Sequence, residues 1–153
     1  MLFRSKAGIT IRDIATEIEW AKGQEIAPED YLRIAQERAR VAPNNLSLAE
    51  VAEVYRTYDE LKQEAEQLDF EDILLLLVGI LEEQNSIIDR VRAQYRFFTI
   101  DEYQDVSPLQ QRLLNLWLGN RKEICVVGDP DQSIFSFAGS TNEYILEIGR
   151  AHV

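Results

Sequence analysis

The chain has 153 residues, 46% of them hydrophobic, and a net charge of −11, enough for one modest domain or two small pieces sharing a core. A balance this acidic argues against a free-standing nucleic-acid binder, whose affinity rests on Lys and Arg neutralising phosphates. The single cysteine, Cys125, excludes a disulfide framework and, set in an apolar run, is expected as a buried, inert thiol of a reducing compartment. With no apolar run of membrane-spanning length and no signal-peptide pattern at the start, a cytoplasmic protein is expected.

From Thr10 to Lys22 the apolar residues Ile11, Ile14, Ala15 and Ile18 recur on one stripe, which predicts an amphipathic helix capped by Thr10 and stopped by Gly23. A second helix is predicted from Pro28, with Glu29 and Asp30 in its first turn, to about Val41. Arg33, Arg38 and Arg40 there form the only notable basic concentration, either a solvated face or a contact for a DNA backbone. Ser47 and Glu50 make a capping box for a long helix reaching Gln67, with Tyr55 and Tyr58 expected in its core-facing stripe. The run Leu68 to Leu81, LDFEDILLLLVGIL, is apolar almost all round and so expected to be a helix buried between layers, with Asp69 as N-cap and Asp72 in its first turn. Ser86 to Tyr95 is predicted as a short helix.

Phe97 to Ile100 is a short apolar run ending abruptly in Asp101 and Glu102. A buried parallel strand ends in this way at the carboxyl edge of an open α/β sheet, where such sheets place their ligands. Ile124 to Val127 repeats the pattern, ending in Gly128 and Asp129, and Pro108 to Leu118 between them has the length of a crossover helix. Two strand ends thus deliver carboxylates to one place, and adjacent carboxylates at the end of a buried strand call for a cation or donors. The plainer reading is an exposed strand end, and for Phe135 and Phe137 ordinary core.

The strings DEYQDVSPLQ and VVGDPDQSIFSFAGS, in that order, resemble motifs II and III of the UvrD/Rep/PcrA group of superfamily 1 DNA helicases, whose usual patterns are DExQD and VGDxDQSIYxFRG. LDFEDIL likewise resembles the DFxDLL stretch that precedes motif II in that group. The likeness is loose from Thr10 to about Leu146 and tight from Asp101 to Gly139. It implies Asp101 as the magnesium residue of an ATP site, Glu102 as catalytic base, and Gln132 as the group that senses the γ-phosphate and couples it to DNA. It also places Phe135 and Phe137 where single-stranded bases stack, a contact worth about 1 to 3 kcal/mol per base. Ala138 stands where the family usually has an arginine.

The fold class expected from this resemblance is α/β: a mostly helical insert subdomain at residues 6–95, followed at 96–146 by the C-terminal part of the first RecA-like motor domain, a P-loop NTPase with a parallel sheet. ATP and Mg2+ are the implied cofactors. The implied partners are single-stranded DNA, duplex junctions and the remainder of a helicase chain moving 3′ to 5′ in repair or recombination, with no membrane. A phosphate-cradling GxxxxGK[ST] loop does not occur in the sequence, so this polypeptide by itself is expected not to hydrolyse ATP. MLFRS can be encoded by GTGCTCTTCCGATCT, whose reverse complement lies intact in a coding of EIGRAHV, so residues 1–5 and 147–153 are expected to be adapter-derived. His152 is the only histidine, which leaves no histidine-based metal site or triad. A helicase-nuclease sharing the same motor motifs, or a non-catalytic module whose acids bind a cation or a protein, remain the alternatives.

Overall fold

The computed structural model describes residues 11–43, 46–129 and 131. These divide into two compact units on either side of the Leu68/Asp69 junction. The described part is mostly helical, with one small parallel sheet of two strands.

The first unit holds α1 (Ile11–Gly23), α2 (Pro28–Glu37) and α3 (Leu48–Glu64). Its core comprises Ile18, Trp20, Ala21, Ile26, Tyr31, Ala35, Val51 and Tyr55, with Tyr31 edge-on to both Trp20 and Tyr55 at centroid distances of 6.5 and 6.2 Å. Tyr55 also donates to the Ile26 carbonyl at 2.9 Å, so its one polar atom is satisfied inside the core. Ser47 and Glu50 form the expected capping box at the start of α3, an arrangement worth about 1 kcal/mol.

All three helices stop in the same way, with a non-glycine residue in the left-handed region: Glu25, Ala39 and Glu66. Each amide donates three residues back and the next amide donates five back, as Ala39 to Gln36 and Arg40 to Ala35 do at 3.0 and 2.9 Å, which is the Schellman arrangement. For this reason α2 ends at Glu37 rather than near Val41. The three arginines are engaged within the unit: Arg33 pairs with Asp30 and Glu37, Arg38 donates to Gln24, and Arg40 pairs with Glu17. Tyr58 lies at the rim, under Lys62, rather than in the core.

The second unit holds α4 (Phe70–Glu83), α5 (Asn85–Gln94), β1 (Phe98–Ile100), α6 (Pro108–Leu118) and β2 (Ile124–Val126). Val78, Leu81, Ile88, Leu109 and Leu113 form the core in which α4, α5 and α6 meet. Capping boxes start α4 at Asp69 with Asp72, and α6 at Ser107 with Gln110. Helix α4 is not buried all round as its composition suggested: Phe70, Ile73, Leu76 and Ile80 are exposed along one face, because the neighbours it packs on cover only the opposite stripe.

Strand β1 crosses over through α6 to the parallel β2, with Phe98 opposite Ile124, Thr99 opposite Cys125 and Ile100 opposite Val126. Both strands alternate half-buried and exposed positions, the period of a sheet covered on one face. The inner face packs toward α6, with Phe98 stacked on Trp117 at 5.9 Å. The outer face, bearing Thr99 and Cys125, is uncovered among the described residues. The expectation of a buried thiol is corrected accordingly, since Cys125 is exposed. The C-terminus of α6 carries no basic residue of its own, yet two arginines from elsewhere satisfy its last carbonyls. Arg92 donates twice to Leu116, at 2.9 and 2.7 Å, and Arg121 donates to Trp117 and Leu118 at 2.7 and 3.1 Å, where cations are favoured by the helix dipole.

Candidate functional site

At the carboxyl end of β1 the chain leaves the sheet through Asp101 and Glu102 into a single 3-10 turn, Tyr103–Asp105. The Glu102 amide donates to Asp101 Oδ1 at 2.9 Å, and Glu102 itself is left-handed, at φ 50° and ψ 42°. Left-handed backbone on a non-glycine residue costs about 1 to 3 kcal/mol and persists only when its surroundings hold it. Here the hold is Tyr103, fully buried, whose amide donates to the Val127 carbonyl at 3.0 Å and whose hydroxyl donates to Gln111 Oε1 at 2.5 Å.

Asp101 and Glu102 both line a cleft of about 370 Å³ together with Ile100, Asp105, Leu113 and Trp117. Both residues are exposed, and Asp105, which also lines the cleft, has a buried Oδ1 with no hydrogen-bond partner. Among the described residues no three His, Cys, Asp or Glu side chains are grouped to cage a metal. That donor set nonetheless fits magnesium, which takes oxygen ligands, keeps several waters and is bound through one or two carboxylates plus substrate phosphates rather than a protein cage. The orphaned Asp105 oxygen is a further unsatisfied acceptor at this edge.

Gln104 is the residue that reading the sequence missed. Its side chain is 1% exposed; Nε2 donates to Glu102 Oε2 at 2.6 Å and Oε1 accepts from the Asp129 amide at 3.0 Å. It therefore ties the acid pair after β1 to the turn after β2. The available signal was an amide side chain between a core tyrosine and an acid, at the point where two strand ends converge. Beyond β2, the Asp131 amide donates to Asp129 Oδ1 at 3.0 Å. Of the residues expected to act, Asp101 and Glu102 are brought together on one cleft, whereas Gln132, Phe135 and Phe137 lie outside the described residues.

The profile described as the UvrD/REP helicase N-terminal domain matches residues 3–152. The chain is 42% identical over 143 residues to the ATP-dependent DNA helicase UvrD2 of Mycobacterium tuberculosis strain H37Rv, a match covering 92% of this chain and 20% of that protein. It is 31% identical over 135 residues to the ATP-dependent DNA helicase PcrA of Leuconostoc citreum, covering 88% of this chain and 17% of the relative. A third match, 31% identical over 98 residues, is the putative ATP-dependent DNA helicase YjcD of Bacillus subtilis, covering 64% and 13%. The chain thus spans about a fifth or less of the length of these curated relatives.

Proposed function

The chain belongs to the UvrD/REP helicase family, and from that premise we propose that it is a portion of an ATP-dependent DNA helicase that couples ATP hydrolysis to movement along single-stranded DNA and to duplex unwinding. In this reading the β1–α6–β2 segment is part of a RecA-like motor domain, and the cleft at the end of β1 faces the triphosphate. The observation that carries it is the convergence of Asp101 and Glu102 on one cleft.

Asp101 would hold a magnesium ion, whose charge offsets that of the β- and γ-phosphate oxygens. Glu102, which lines the cleft, orients the attacking water and accepts its proton. Gln132 follows the state of the γ-phosphate, and Phe135 and Phe137 supply stacking surfaces for unpaired bases. The acidity of this segment fits a division of labour in which other parts of the chain grip the DNA backbone. With no GxxxxGK[ST] loop in its sequence, the segment alone does not turn over ATP.

The test is Glu102→Gln in the complete helicase carrying this segment. Loss of a positioned base should lower DNA-stimulated ATP hydrolysis by roughly 100-fold or more while nucleotide binding, measured with a fluorescent ATP analogue, is retained. Turnover equal to that of the unaltered enzyme would remove Glu102 from the role of base.

A further inference from the structure

The geometry points to Gln104 as the positioning residue of the hydrolysis site: it holds the Glu102 carboxylate and ties its place to the turn after β2. The inference rests on the reading of Glu102 as the base and adds a residue on which that base depends.

Glu102 is exposed, and a glutamate free to sample its rotamers forfeits about 1.5 to 2 kcal/mol of entropy when it is fixed. Something rigid must hold it if it is to meet a water in one place. Gln104 is rigid: it is almost fully buried and follows the anchored Tyr103. Its bond to Glu102 Oε2, at 2.6 Å, has the short length of a charge-assisted hydrogen bond. The direction of the amide follows from chemistry at both ends. The Asp129 amide can only donate, so it takes the oxygen, which turns the NH2 group onto the carboxylate; the flipped amide would oppose like groups at both contacts. One side chain therefore fixes where Glu102 points as a function of where Asp129 sits. A displacement of the Asp129 amide is thereby transmitted through Gln104 to the base.

A positioning role separates from a purely structural one by comparing backgrounds. In the complete helicase, Gln104→Met should lower kcat for DNA-stimulated ATP hydrolysis roughly ten- to a hundredfold, the scale of a misplacement of about 1 Å, with KM for ATP within about twofold. In a Glu102→Gln background the same substitution should change the residual single-turnover rate by less than about twofold, because the group it positions is already gone. An equal factor in both backgrounds would mean that Gln104 acts through general stability, and would overturn the inference. Gln104→Glu is the second variant: it keeps an acceptor for the Asp129 amide and loses the donor to Glu102. It should be as slow as Gln104→Met, and wild-type turnover in it would overturn the inference. Bound fluorescent ATP analogue shows that each variant is folded. If Glu102→Gln itself leaves turnover intact, the reading of the base has failed rather than the role of Gln104 alone.

Discussion

The ion pair inside the first unit offers a sharp test of how that unit is held together. Arg40 reaches Glu17 through two bonds, Nε to Oε1 at 2.9 Å and Nη2 to Oε2 at 2.5 Å, and its guanidinium lies 3.8 Å from the centroid of the Trp20 ring. Tyr31 donates a further bond to Glu17 Oε1 at 2.9 Å. The side chains are 19% and 7% exposed, so Arg40→Met leaves a carboxylate in the core without its counter-charge. Breaking such a pair costs about 3 to 5 kcal/mol. Arg40 retains some contact with water and Met still covers the indole, which places the loss near the lower end, about 3 kcal/mol, or roughly a 150-fold shift toward the unfolded state. Trp20 and Trp117 are the two tryptophans, one in each unit, so Trp117→Phe leaves Trp20 fluorescence reporting the first unit alone. Urea titration in that background should show the loss in Arg40→Met, and adding Glu17→Gln should recover part of it, since a neutral amide is cheaper to bury than an unpaired carboxylate. A loss under about 1 kcal/mol, the range of solvated surface pairs, would refute the claim that this pair is buried and coupled.

Tyr31 carries the same network into a pH dependence. Burial first, then the bond to Glu17 and the charge of Glu17, push its phenol well above the ordinary tyrosine value, against an opposing pull from Arg40. A proton held more tightly in the folded state contributes stability that is complete below the unfolded pKa of about 10 and is lost as pH rises above it. Urea midpoints should therefore fall between pH 10 and 12 in the wild-type chain, and less steeply in Tyr31→Phe; equal slopes would exclude Tyr31 as the cause. At the end of α6, Gly119 has φ +59°, and a Cβ there would lie 2.8 Å from Arg92 Cζ. Gly119→Ala should cost about 2 kcal/mol, from backbone strain and from displacing the arginine that holds Leu116, read as a lower urea midpoint with Trp117 as reporter in a Trp20→Phe background.

What was legible in the sequence was local. The capping box at Ser47, the N-cap at Asp69, the proline start of α2 and the whole of α6 from Pro108 to Leu118 are written in side chains that act on their own helix. What was not legible depended on partners far along the chain or on backbone alone. The end of α2 is set by Ala39 entering the left-handed region without a glycine to announce it. The exposed face of α4 and the exposed Cys125 depend on how many neighbours surround each element, which composition does not state. Gln104 has meaning only through Asp129, twenty-five positions away.

Placing two acids in succession after a strand does not by itself make a site. In extended backbone, neighbouring side chains point to opposite faces, and Asp101 and Glu102 would then be divided between the two sides of the sheet. Yet both line one cleft, and the left-handed conformation of Glu102 is what breaks the alternation. Among the described residues, three of the four non-glycine residues with positive φ, Glu25, Ala39 and Glu66, close helices, where that conformation is repaid by two backbone bonds each. Glu102 follows a strand and closes no helix, so its strain is offset by other means: Asp101 accepts its amide, Tyr103 anchors the next residue, and Gln104 takes its carboxylate. A glycine would relieve the backbone and discard the carboxylate. Keeping a glutamate there, against its conformational preference and with three neighbours engaged to hold it, is what is expected of a position maintained for its side chain rather than for the turn it makes.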